Sequence, residues 1–231
     1  MTPNGRSDLT FLNWIFRIAL VCLLLGSPST ASPPSDVSAI AQGVDRRYDH
    51  LSSLQADFVE IYTGAGTERT ESGALWLKKP GKMRWEYRSP REKLFLSDGK
   101  QAWFFIPGEK QARKIPMRQL DDLRSPLAFL LGRTKLQKEL KGLSLAADLS
   151  PAQVGDIVLR GSPAGMEDRV TQVVLEITGN SEIYRIQLNG TDGSVTEYTF
   201  GNRRENVQVS DRMFHFSPPP GVEIIEGDLA Q

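Results

Sequence analysis

Gly73-Ala74-Leu75-Trp76-Leu77-Lys78-Lys79-Pro80-Gly81-Lys82-Met83-Arg84-Trp85-Glu86-Tyr87 is the stretch that decides the fold. Apolar and charged residues alternate strictly from Met83 to Tyr87. That period of two puts Met83, Trp85 and Tyr87 on one face of a strand, with Arg84 and Glu86 on the other. Pro80-Gly81 separates this run from the apolar run before it, which predicts a turn between two neighbouring strands.

The same rhythm continues outward in both directions. Alternating segments predict strands at 58–62, 73–77, 83–87, 93–97, 101–106, 111–115, 156–160, 169–178, 182–189, 194–202 and 212–217. Asp98-Gly99 reads as a hairpin turn, and Pro218-Pro219-Pro220-Gly221 is expected to end the sheet. About ten strands, mostly joined by short turns, give an antiparallel sheet.

Two segments have a different period. Asp36 offers an N-cap, and Val37, Ile40, Val44, Tyr48 and Leu51 follow at steps of three and four, so one amphipathic helix opens the domain. Ser125-Pro126 starts a second short helix, Leu127-Ala128-Phe129-Leu130-Leu131, stopped by Gly132. That run lacks a polar face, so it must be buried or lie across an apolar surface. The class is therefore all-β dominated (α+β).

The N-terminus has the order of an export signal. Arg6 and Arg17 precede the apolar run Ile18 to Leu25, and the small residues Ser29-Thr30-Ala31 follow. Eight apolar residues are far short of the ~20 that span a bilayer. Residues 1–31 are expected to be a cleaved signal peptide and 32–231 a single domain. Cys22 lies within the apolar run behind the bulky Val21, so it is read as signal-peptide hydrophobe and not as a lipid attachment site. The remaining chain has no cysteine for disulfides or nucleophilic chemistry, and a sizeable apolar core must hold it together. It carries 26 basic and 27 acidic residues once Arg6, Arg17 and Asp8 are removed from 28 of each. So even a balance argues against nucleic acid as a partner.

Catalytic signatures are missing. The two histidines, His50 and His215, lack metal-ligand spacing, and neither a nucleophile elbow nor a nucleotide loop is present. Asp121-Asp122 sits between Arg118 and Arg124, which suits a solvated charge cluster better than a catalytic pair. The chain is read as a non-enzyme without metal or cofactor. Its surplus lies instead in large apolar strand residues: Met83, Trp85 and Tyr87 on one face, and Trp103 and Phe105 opposite Phe104 and Ile106. These either fill a plain core or line a lipid-sized pocket under helical cover.

The order of motifs resembles the outer-membrane lipoprotein carrier protein family (LolA). The resemblance runs through Leu54-Gln55-Ala56-Asp57-Phe58, the 73–87 stretch, Ser97-Asp98-Gly99-Lys100 with Trp103, and Ser125-Pro126 with its helix. It ends on Phe214-His215-Phe216 with Pro218 to Val222. It implies a half-open antiparallel β-barrel of about ten to eleven strands with a helical lid over an apolar cavity. It also implies a periplasmic, monomeric carrier. Such a carrier takes acylated lipoproteins from an inner-membrane lipoprotein-releasing transporter and passes them to an outer-membrane acceptor. The same fold would also suit a carrier or sensor of another lipid or glycolipid.

By the same resemblance, Met83, Trp85, Tyr87, Leu127, Phe129 and Leu130 line the acyl cavity. Met83 stands where the family usually has phenylalanine. Lys79 stands where it commonly has an arginine that bonds to the lid, and lysine cannot reproduce that planar fork. Lys78 and Arg84 are the alternative bases. Met83 is expected at the rim, where a charge would spoil binding and leave the fold intact.

Overall fold

The computed structural model describes residues 36–116, 130 and 135–226, all within one compact unit, Asp36–Gln231. Helix α1 spans Val37–His50, and the Asp36 carboxylate accepts a hydrogen bond from Ser38 N at 2.8 Å. Its apolar stripe, Ile40, Ala41, Val44 and Tyr48, is buried. The periodicity had marked the same face.

Among the described residues twelve strands follow: β1 Ser53–Gly64, β2 Thr67–Lys78, β3 Lys82–Ser89, β4 Lys93–Asp98, β5 Gln101–Phe105, β6 Gln111–Pro116, β7 Leu140–Leu145, β8 Ile157–Pro163, β9 Val170–Ile177, β10 Ile183–Gly190, β11 Val195–Glu205 and β12 Glu223–Glu226. A short helix, α2, covers Leu136–Glu139. The strands form one open sheet in the order β12-β6-β5-β4-β3-β2-β1-β11-β10-β9-β8-β7. Two antiparallel meanders, β1–β6 and β7–β11, are thus joined along β1 and β11.

Three elements differ from the sequence expectation. Residues 212–217 are not a strand: Asp211–Phe214 is a 3-10 turn, with Ser210 accepting from Arg212 N and Met213 N bonded to Ser210 O. Phe214 and Phe216 are buried in alternation, so the pattern is real, but their main chain joins no ladder. The proline run does not end the sheet. The chain continues into β12, which pairs with β6 in parallel, the one parallel contact among the described strands. Edge strand β7 was also missed. Gly142, at φ 64°, interrupts its alternation within an irregular register against β8.

The sheet has two distinct faces. Its inner face folds around α1 and gathers Leu54, Phe58, Leu75, Leu77, Met83, Trp85, Leu159, Leu175, Ile186 and Phe200 into one buried cluster. On the outer face, Leu96, Trp103 and Phe105 pack under Phe216, whose ring stacks on Trp103 at 6.1 Å. Trp103 and Phe105 therefore serve this outer layer, not the interior.

Candidate ligand-binding site

Strand β3 carries the candidate residues across the inner face. Its register sets Met83 opposite Leu77, Trp85 opposite Leu75, and Tyr87 opposite Gly73. The approach at Gly73 is close enough that a Cβ there would lie 1.8 Å from the Glu86 carbonyl oxygen. Only glycine fits, and the inner surface at that point is filled by aromatic rings. Phe58 lies 4.8 Å from Trp85 and 5.0 Å from Tyr87, while Tyr198 and Phe200 meet Trp85 edge-on.

Met83 and Trp85 are 4% and 3% exposed. The expectation that Met83 forms a rim with little packing to lose is wrong, because Met83 belongs to the main buried cluster.

Beyond Trp85 the inner face turns polar. Tyr87 Oη donates to Glu60 Oε2 at 2.7 Å, and Glu71 stands directly opposite Glu60 across β1 and β2. Lys93 Nζ donates to Glu71 at 2.5 Å and lies over the Tyr87 ring. Burial raises the Glu60 carboxyl above the usual range, against the hydrogen bond from Tyr87, which lowers it. Burial likewise pushes both Tyr87 and Tyr198 far up, so their hydroxyls stay protonated. This polar group was not found from sequence. Its signal was Glu60, a charge on the same strand face as Phe58.

At the opposite end of the face, Leu130 is buried among Leu51, Leu54 and Leu77, beside a gap of about 10 Å³. Leu127 and Phe129, like Arg118, Asp121, Asp122 and Arg124, lie outside the described residues.

Helix α1 closes over this end and is tied down by polar contacts. Lys79 Nζ donates to Tyr48 O at 2.6 Å and Asp49 O at 2.8 Å, where the helix C-terminus favours a cation. Burial lowers the Lys79 ammonium from its ordinary value. Asp45 accepts from Leu136 N, and Lys135 pairs with Asp49. Arg47 bonds Glu182 and Glu205 on the far side. The alternative bases are engaged elsewhere: Lys78 bonds Val209 O and Asp211, and Arg84 bonds Met213 O and Glu86.

Among the described residues, no group of three or more His, Cys, Asp or Glu could hold a metal ion, and no helix is long and apolar enough to cross a membrane.

The model of the outer membrane lipoprotein carrier protein LolA matches residues 49–217. The chain belongs to this family. The LolA match runs from the end of α1 through β1–β11 to Ser217. Among relatives, an outer-membrane lipoprotein carrier protein of Chromobacterium violaceum is 28% identical, covering 91% of this chain and 95% of its own. That of Nitrosospira multiformis is also 28% identical, covering 77% and 84%. Solved structures align more loosely. LprF from Mycobacterium bovis is 14% identical at a TM-score of 0.47, covering 78% of this chain and 97% of its own. A LolA superfamily protein from Nitrosomonas europaea is 13% identical at 0.43, with the same coverage.

Proposed function

We propose that this chain is a periplasmic lipoprotein carrier, which receives acyl chains of lipoproteins released from the inner membrane and delivers them towards the outer membrane. The observation that carries this reading is the family match spanning α1's end, the inner face and its ring cluster around Trp85. The protein would use no chemical step. Acyl chains in water cost about 0.8 kcal/mol per methylene, so transit requires a covering surface, and the inner face under α1 supplies one. Met83, Trp85 and Tyr87, with Leu127, Phe129 and Leu130, would receive the chains once the cover moves. Lys79, holding the end of α1, would restrain that movement.

On this reading residues 1–31 direct export and are removed after Ala31, leaving a soluble monomer that starts near Ser32. An inner-membrane releasing transporter would supply the cargo and an outer-membrane acceptor would take it. The test is release from spheroplasts. Added protein should bring newly made lipoproteins into the medium as a one-to-one soluble complex. Mass spectrometry of that complex should show acylated cargo. Free lipid in its place would indicate a different carrier, and a diacylated Cys22 would refute the soluble form.

A further inference from the structure

We propose that Trp85 is a hydrogen-bonding residue of the ligand site, its indole N–H donating to an uncharged carbonyl in the linkage that joins an acyl chain to its cargo. The inference rests on the carrier reading and adds how the ligand is oriented and which of its atoms is recognised.

Trp85 Nε1 is buried and has no hydrogen-bond partner among the described residues. The large majority of buried side-chain polar atoms are paired in folded proteins, and an unpaired one calls for an explanation. Among the described residues, Phe58, Tyr198 and Phe200 present rings to it. Glu60 already accepts from Tyr87.

The position along β3 gives the orientation. Met83, on one side of Trp85, faces Leu77, within the apolar cluster that also holds Leu54 and Leu130. On the other side, Tyr87 begins the polar group of Glu60, Glu71 and Lys93. An amphiphile matching this gradient has its chain towards Met83 and its first polar atoms at Trp85. Charge then bears on the acceptor. The nearby cation Lys93 is already paired with Glu71, which leaves a fatty-acid carboxylate or a phosphate without a counter-ion from it. An ester or amide carbonyl carries no charge and needs one donor, which the indole supplies.

The test compares two synthetic diacylglyceryl-cysteine peptides of equal chain length, one ester-linked and one ether-linked, against the purified protein and its Trp85→Phe variant. Wild type should bind the ester about fivefold to tenfold more tightly. In Trp85→Phe the ester-to-ether ratio should fall to about one, through loss of ester affinity alone. An unchanged ratio, or no preference in wild type, overturns the proposal and leaves the carrier reading intact. If wild type binds neither peptide, the carrier reading fails and this proposal with it. Should Trp85→Phe not fold, the ¹⁵N-labelled indole of wild type reads the same contact. Its N–H proton should move downfield with the ester and not with the ether, and equal shifts would overturn the assignment.

Discussion

The Lys79 ammonium lies 2.6 Å from the main-chain oxygen of Tyr48, in the last turn of α1. A single flexible side chain from the end of β2 thereby ties the helix to the sheet, and Asp49 O is its second acceptor. Lys79→Ala should lower stability by about 1 kcal/mol, a figure kept small because the side chain is partly exposed to solvent. Lys79→Arg keeps donors at the site and should stay within about 0.5 kcal/mol of wild type. Urea denaturation gives both values. Amide exchange should show the alanine variant's loss concentrated in α1.

Met83→Glu should cost several kcal/mol of stability, about 3–5, because a carboxylate would enter a buried apolar cluster without a partner. Met83→Leu should cost less than about 1.5 kcal/mol. Chemical denaturation distinguishes the two. A Met83→Glu protein of wild-type stability would return this residue to a rim.

Gly73→Ala should be among the most damaging single changes in the sheet. The added methyl would meet the Glu86 carbonyl at 1.8 Å, a main-chain atom held by the β2–β3 ladder. The strands must separate, at about 3 kcal/mol or more. A thermal melt well below that of wild type is the expected reading.

Glu60 gives the protein a pH dependence of known sign. Burial raises its folded-state pKa above the ordinary 4.5, so its protonated form is favoured by folding. Its contribution is fully present below about 4.5 and is lost as pH rises through the raised value. Glu60→Gln keeps an oxygen acceptor for Tyr87 and removes the charge. Its stability advantage over wild type should therefore be present near neutral pH and shrink on acidification. Denaturation curves at matched pH values test this, and a difference that grows on acidification would contradict it.

Leu130 is 3% exposed, so a cysteine placed there should react slowly with a thiol reagent. Once residues 1–31 are gone it would be the chain's sole cysteine. Loading with lipoprotein should speed its labelling several-fold if the segment moves aside for cargo. Equal rates with and without cargo would make Leu130 a fixed part of the core.

Period-two runs such as 83–87 were legible because one face of each strand is buried and the other meets water or charge. For the same reason α1 could be read from its five stripe residues. β12 could not, since four residues after three prolines carry no period of their own. The strand expected at 212–217 failed because Phe214 and Phe216 are buried from a segment that joins no ladder, with Phe216 packed on Trp103 and Phe105 of the outer layer. In the site, the Met83-Trp85 face follows from alternation. The pairing of Glu60 with Tyr87, and of Glu71 with Lys93, needs strand register, which no local pattern contains.

The parallel pairing of β12 on β6 also bears on how this protein behaves in a crowded compartment. Without β12 the outer flank of β6 would offer a row of open main-chain donors and acceptors to any extended polypeptide nearby. β12 occupies that flank and is itself a poor template: only four residues, a glutamate at each end, and Pro218, Pro219 and Pro220 just before it. β12 thus covers an edge that β6 would otherwise leave open. Deleting residues 218–231 should show itself first as self-association, before any loss of the interior fold.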